Sequence, residues 1–287
     1  MNKQKIKTGF QEAKAITKKF ARTFYLASLF LPKNKKYASY AVYALCRLSD
    51  ETVDNSTHPD PAATLQKLEL QIAAAYAEEK IDPPLLAAFR YTVNTYRIPK
   101  EYFDTLIKGM RMDLELKRYA NFPALYEYCY RVAGVVGQIM LKIFGYQDKR
   151  IEAYAVKLGI AMQLTNILRD INEDLIRGRI YLPQDEMLTF GVSEQQLFLN
   201  QNNETFKNLL RFQIQRCQNF YRESLPGIKF INSCRDKFVV LAMQGIYSGI
   251  LKTIQENNYD IFTKRCSVNK TRKITIILKI IREGKYL

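Results

Sequence analysis

Two acidic clusters more than a hundred residues apart have the side chains and the spacing of a metal-binding site. The first is Asp50-Glu51-Thr52-Val53-Asp54 and the second is Asn166-Ile167-Leu168-Arg169-Asp170-Ile171-Asn172-Glu173-Asp174. In each, oxygen-bearing side chains recur every fourth residue, which on a helix stacks them on one face with Cβ atoms roughly 5–6 Å apart. Like charges that close repel, so an isolated helix gains nothing from Asp50 beside Asp54 or from Asp170 beside Asp174. Magnesium, or manganese in its place, would remove the conflict, because it takes hard oxygen ligands from one or two carboxylates plus substrate phosphates. Two such faces opposed across a helical cavity would hold a diphosphate on a bridge of metal ions.

The elements around these clusters strengthen that reading. A lone Asp pair at helical spacing is usually a solvated face. Here Ala41-Val42-Tyr43-Ala44-Leu45-Cys46 runs straight into Asp50, and Leu158-Gly159-Ile160-Ala161-Met162 runs into Gln163, Asn166 and Asp170. Helices apolar nearly all round are buried, and buried carboxylates are almost never left without a partner. Helical periodicity dominates the whole chain and no strand alternation is present. The pattern predicts helices over Phe10–Ala27, Lys36–Val53, Pro61–Lys80 and Pro83–Tyr96, others opening at Pro99 and Pro123, and one over Lys149–Leu175. Arg177-Gly178-Arg179-Ile180-Tyr181-Leu182-Pro183 reads as a loop or flap, and Val192 to the C-terminus is mainly helical again. No Gly/Ser tract or repeat divides the chain, so the expectation is one all-α domain over residues 1–287.

Composition removes several alternatives. The 287 residues are 47% hydrophobic, enough for a sizeable core, yet no apolar run reaches the length of a membrane span. Nor is there a charged-then-apolar leader with a small-residue cleavage site, which makes the cytoplasm the expected location. Lys and Arg number 44 against 28 Asp and Glu, a net charge of +16 that attracts polyanions. Five dispersed cysteines without a CxxC pair read as core thiols in a reducing compartment. His58, the one histidine, lies in the loop-like stretch 55–61, which argues against Ser-His-Asp and Cys-His catalysis. No phosphate-cradling glycine loop or nucleic-acid recognition motif occurs, so nucleic acid is not an expected partner.

Taken together, the motifs resemble the squalene/phytoene synthase family, the head-to-head prenyl synthases, and most closely the look of its bacterial phytoene and dehydrosqualene members. The resemblance rests on Ala21-Arg22-Thr23-Phe24, Tyr43-Ala44-Leu45-Cys46-Arg47-Leu48-Ser49-Asp50 with Asp54, and Gly109-Met110-Arg111-Met112-Asp113-Leu114. It extends through Tyr128-Cys129-Tyr130-Arg131-Val132-Ala133-Gly134-Val135-Val136-Gly137 to Gln163–Asp174 and Gly178-Arg179-Ile180-Tyr181-Leu182-Pro183. It implies an isoprenoid-synthase fold with a central cavity, in which two prenyl diphosphates condense through a cyclopropyl diphosphate. Carried onto this chain, it implies metal ligation by Asp50, Asp54, Asn166, Asp170 and Asp174. Arg47, Arg169 and Arg179 would contact diphosphate, with Gln163, Thr23 and Tyr247 also in the substrate site. Tyr128 would handle the carbocation or proton of the first step, and Lys264-Arg265 resembles a further family position.

Phe24, Tyr25, Tyr43, Val136, Met162 and Leu164 are candidate cavity walls, and mid-helix Gly134 and Gly137 mark close helix packing. The chain departs from the family at Glu51, where many members have Asp, and at Phe20, where some carry a polar or basic residue. Ser28, one turn beyond Phe24, is expected to face the cavity and to leave room for geranylgeranyl diphosphate, giving phytoene. The alternatives are squalene or dehydrosqualene made from farnesyl diphosphate, or a non-catalytic scaffolding member. The absence of a nicotinamide fingerprint argues against NADPH without deciding the matter, since reducing members of the family need none. Arg272 to Leu287, basic and hydrophobic, would lie on a membrane surface or pack as a terminal helix; oligomeric state is not legible.

Overall fold

In the computed structural model residues 3–54, 60–77, 83–284 and 286 are described, the side chains of 49–54 excepted. Every element among them is helical, and pairing in the strand sense is confined to two isolated bridges. Helix α1 spans Lys3–Phe20 and α2 spans Arg22–Ser28, where periodicity predicts a single helix. The backbone leaves the helical region at Ala21 (φ −129°, ψ 56°), and Ala21 and Phe24 both line the internal cavity. Helix α3 (Lys33–Asp54) follows and ends on the first acidic cluster. Asp60 caps α4 (Pro61–Tyr76) by accepting from the Ala63 N–H, and Pro61 sits where a missing N–H costs least. Proline also opens α5 (Pro84–Tyr96) and immediately precedes α6 (Lys100–Glu115).

Asn121 caps α7 (Phe122–Cys129), which runs through a π-helical turn at Tyr130–Gly134 into α8 (Val135–Phe144). Helix α9 (Ile151–Arg169) stops at Asp170, whose φ of −106° and ψ of 14° separate it from α10 (Ile171–Ile176). The predicted helix over Lys149–Leu175 is therefore two, broken within the second acidic motif. Short helices α11 (Gln184–Thr189) and α12 (Glu194–Phe198) follow the flap. Helix α13 (Glu204–Ser224), a 3-10 segment at Leu225–Phe230, α14 (Cys234–Glu256) and α15 (Lys270–Glu283) complete the chain. No described helix is long and apolar enough to cross a membrane.

Helix α9 is the centre of the packing, touching α8, α13, α14 and the π-helical turn. One core, including Leu125, Ile160, Leu168, Leu210 and Leu251, surrounds α9, α13 and α14. A second, including Leu45, Leu65, Phe89, Phe103 and Ile139, joins α3 to α6 with α8. The cysteines only partly follow expectation: Cys129, Cys217 and Cys266 are buried, but Cys234 is exposed at the start of α14.

Glycine lets α9 approach its neighbours at backbone distance. A Cβ on Gly159 would lie 2.2 Å from the Ala133 carbonyl oxygen, and one on Gly137 would lie 2.5 Å from that of Ala155. The packing role expected of Gly137 is thus met. A Cβ on Gly134 would meet only the Tyr130 ring edge at 3.0 Å and Val156 at 3.3 Å, contacts that side chains can relax. Gly159→Ala is accordingly expected to lower stability by about 1–3 kcal/mol in urea denaturation, and Gly134→Ala by less. Equal effects would contradict backbone contact as the reason for Gly159.

Candidate active site

The two cores meet around a cavity of about 350 Å³. Helix α9 supplies a continuous wall through Ile151, Tyr154, Ala155, Leu158, Gly159, Met162, Gln163 and Asn166. Their spacing of three and one residues is a single helical face. Opposite stand Phe24 from α2 and Val42, Tyr43 and Cys46 from α3, with Val136 and Met140 from α8. Expectation is met for Phe24, Tyr43, Val136 and Met162. It fails for Tyr25, which stacks on Tyr40 with centroids 5.8 Å apart, and for Leu164, which faces the α9–α13 core.

Ser28 also departs from expectation. It is fully buried but lies outside the cavity wall, sharing a 2.8 Å hydrogen bond with the Tyr40 hydroxyl and donating to the Tyr25 carbonyl oxygen at 2.7 Å. Helix α2 is closed by i→i+3 bonds from Leu29, Phe30 and Leu31, and Ser28 on its last turn faces Tyr40. It cannot serve as the chain-length gauge.

Polar groups gather at one end of the α9 face. Gln163 and Asn166 line the cavity, with Asn166 Nδ2 3.4 Å from Gln163 Oε1. Asn166 Oδ1 is buried and accepts no hydrogen bond among the described residues. One turn on, Asp170 is gripped by two guanidinium groups: Arg169 Nε donates at 2.7 Å and Nη2 at 2.5 Å, while Arg265 Nε donates at 2.8 Å. Burial opposes ionisation of Asp170, but the two arginines outweigh it and hold the carboxyl below its ordinary range. Arg265 also reaches Glu173 at 3.2 Å. Burial and the Asp170 charge raise the Glu173 pKa. Tyr247 lines the cavity beside this cluster, and its pKa is raised chiefly by burial.

The remaining candidates lie on α2, α3, α7 and α10 and in the flap. Asp50 and Asp54 lie on the last turns of α3, with side chains outside the described residues. Arg47, a turn before Asp50, places its guanidinium 4.6 Å from the centroid of Phe20, so the departure at Phe20 supplies a ring face to a cation. Thr23 Oγ1 accepts from Lys273 Nζ at 2.9 Å, tying α2 to α15. Asp174 is not part of the cavity wall; its carbonyl accepts from the Arg179 N–H at 2.8 Å and its carboxylate stands 3.7 Å from Arg177. Arg179, within the flap, is buried.

The flap is held from beneath. Ile180 N–H donates to the Lys117 carbonyl at 3.0 Å, and Gln184 N–H donates to that of Tyr119 at 2.9 Å. Tyr181 donates to Asp113 Oδ1 at 2.7 Å and Tyr128 donates to Asp113 Oδ2 at 2.8 Å. The rings of Tyr128 and Tyr181 stack with centroids 5.2 Å apart. Burial, reinforced by the Asp113 charge, pushes the Tyr128 hydroxyl well above its ordinary pKa and keeps it protonated. Tyr128 is not among the residues that line the 350 Å³ cavity.

A model of the squalene/phytoene synthase family matches residues 17–272. The chain belongs to this family. It is 38% identical to the 15-cis-phytoene synthase of Synechococcus elongatus, over 92% of this chain and 90% of that one. It is 39% identical to the chloroplastic phytoene synthase of an Oncidium hybrid over 91% of this chain, while spanning only 65% of that protein's length. Among solved structures, a dehydrosqualene synthase in complex with ligand superimposes with a TM-score of 0.92 at 31% identity, covering 99% of both chains. The family's isoprenoid-synthase fold is therefore the fold of this chain.

Asp113 and Tyr181, which the motif reading quoted without giving a task, form a buried hydrogen bond that ties the flap to α6. The sequence showed only an Asp set among apolar residues in Gly109-Met110-Arg111-Met112-Asp113-Leu114. Tyr181→Phe is expected to cost about 1.5–3 kcal/mol, the worth of a hydrogen bond to a charged group. Asp113→Leu should loosen the flap, so that trypsin cuts at Arg177 or Arg179 markedly faster than in the wild type. An unchanged cleavage rate would remove the clamp.

Proposed function

We propose that the protein condenses two molecules of geranylgeranyl diphosphate head to head, through a cyclopropyl diphosphate and with loss of diphosphate at each half-reaction, to give phytoene. The observation that carries this reading is the length of the α9 wall. From Ile151 to Asn166 the cavity-lining face runs fifteen residues, about 22 Å at 1.5 Å per residue. At about 1.2 Å per extended bond, the spacing of the peptide backbone itself, a geranylgeranyl chain spans about 18 Å and a farnesyl chain about 13 Å. The longer chain uses most of the wall and the shorter one leaves its deep end unfilled. The named phytoene synthases among its relatives support the same choice. A second reading, dehydrosqualene from farnesyl diphosphate, is favoured by the close superposition on a dehydrosqualene synthase.

The residues at the polar end fit a divalent cation. Asn166 Oδ1 is a buried hard donor with no hydrogen bond among the described residues, and Asp170 lies one turn beyond it. Asn166 and Asp170 would hold the metal, with Asp174 nearby on α10 and Asp50 and Asp54 from α3. Bound there, magnesium would stabilise the diphosphate leaving group as a Lewis acid. Arg169 and Arg265, already aligned by Asp170, present guanidinium groups suited to bidentate contact with phosphate oxygens. The aliphatic wall keeps water from the allylic cation, and the faces of Phe24 and Tyr43 offer it favourable quadrupoles. No reductant is required for this product. Substrate and product are lipids, so peripheral association with a membrane belongs to the proposal.

Incubation with each prenyl diphosphate and magnesium, with and without NADPH, is expected to yield a C40 hydrocarbon irrespective of NADPH. A C30 hydrocarbon alone, with both substrates offered, would overturn the substrate assignment. Excess EDTA should abolish turnover, and Asp170→Ala should lower it by roughly a hundredfold or more while the helical circular-dichroism signal persists. Ala155, eleven residues before Asn166, lies about 16 Å along the wall, between the reaches of the two chains. Ala155→Phe should therefore depress turnover of geranylgeranyl diphosphate more than that of farnesyl diphosphate. An equal loss for both would count against chain measurement along α9.

A further inference from the structure

Helices α2 and α15, both packed on α14, each present apolar side chains outward. On α15, Ile274, Leu278 and Ile281 recur at i, i+4 and i+7 and are 58%, 59% and 48% exposed. Their neighbours Ile276, Ile277 and Ile280 face inward, where Ile276 packs over Gly245 of α14. On α2 and just after it, Leu26, Leu29 and Phe30 are 54%, 49% and 50% exposed. The two helices are joined by the Lys273–Thr23 hydrogen bond. A ring chain from Phe30 to Phe238 and on to Tyr286, with centroids 4.9 and 5.4 Å apart, joins them again. Six large apolar side chains on adjoining helices exceed the scatter of single exposed hydrophobics that any soluble surface carries.

The charges around this face indicate what covers it. Arg22, Lys33, Lys270, Lys279 and Arg282 are exposed on the same two helices or beside them, in a chain of net charge +16. Glu283 is the one acidic residue of α15, and it stands 3.7 Å from Lys279. An amphipathic helix with an apolar stripe and a basic margin inserts that stripe at the boundary between headgroups and acyl chains of an anionic bilayer. A second copy of this chain would bring the same cations into opposition.

We infer that the outer faces of α2 and α15 form a docking surface for an anionic lipid bilayer. The inner side of α2 contributes Phe24 to the cavity wall, so this surface is one helix thick away from the cavity. That placement deepens the proposed function by setting the site for lipid substrates against the bilayer, but the docking itself does not depend on the reaction.

The test is flotation of the full chain with vesicles of phosphatidylcholine alone or mixed with phosphatidylglycerol, in the absence of substrate. Wild-type protein should partition onto the mixed vesicles, less so as salt rises. The triple variant Ile274→Ser, Leu278→Ser, Ile281→Ser should partition about tenfold less while keeping its circular-dichroism spectrum. A second variant, Lys270→Gln, Lys279→Gln, Arg282→Gln, leaves the stripe intact and should lose the preference for phosphatidylglycerol. Undiminished binding by both variants would overturn the inference. So would a wild-type dimer that fails to float and that the serine variant dissociates in sedimentation velocity. Wild-type flotation by a protein inactive on every prenyl diphosphate would leave the docking face standing and remove the proposed reaction.

Discussion

A carboxylate at the end of an apolar helix is the constraint on which the rest of this structure depends. Helix α9 is nonpolar along most of the face that lines the cavity, yet that face ends on Asn166 and the helix is followed at once by Asp170. Burying Asp170 without a counter-charge would cost several kcal/mol. Arg169 and Arg265 supply two cations, one from the adjacent residue and one from the segment between α14 and α15. The break in the helix at Asp170 frees this residue from strict helical geometry while its carbonyl still accepts from the Asp174 N–H at 2.9 Å. The same arginines that neutralise the carboxylate are the groups a diphosphate would engage, so stability and binding share one set of side chains.

Keeping such a helix central while leaving space beside it requires tight contact elsewhere. Gly159 and Gly137 let α9 touch the π-helical turn and α8 at backbone distance, and Gly109 admits Val132 and Arg131 from the other side of that turn. The extra residue of the π-helical turn is thus pressed between α6 and α9, and Val132 and Ala133 reach the cavity from it. Irregular turns of this kind recur at functional sites because they re-aim side chains without ending the helix. Close packing and open volume sit side by side on one face of α9, where Ala155 and Gly159 both touch a neighbouring backbone and line the cavity.

Much of this was legible in the sequence because it rested on strong local signals. Proline at helix starts, 3.6-residue periodicity and the two acidic motifs located most helices and the Gln163–Asp170 segment, while of the α9 wall the apolar pattern picked out only Met162 and wrongly added Leu164. The breaks at Ala21 and Asp170 were not legible, since neither residue is a helix breaker and both are set by tertiary contacts. Ser28 was misplaced because its position is set by Tyr40 of α3, whose hydroxyl it bonds, a contact that helical extrapolation from Phe24 does not see. Asp113 received no role because the partners of its carboxylate, Tyr128 and Tyr181, come from distant segments. Tyr128 resembles a catalytic position in sequence, but its hydroxyl points to that carboxylate. Asp50 and Asp54 keep the standing of a sequence expectation, their side chains lying outside the described residues.

The central claim is that α9 both anchors the diphosphate and measures the chain attached to it. A crystal of the protein with manganese and a non-ionisable thiodiphosphate analogue of geranylgeranyl diphosphate tests it directly through anomalous scattering and ligand density. The account predicts manganese bound by Asn166 and Asp170, with the prenyl tail running along α9 past Ala155 toward Ile151. Manganese elsewhere, or a tail that leaves α9 before reaching Ala155, would contradict it.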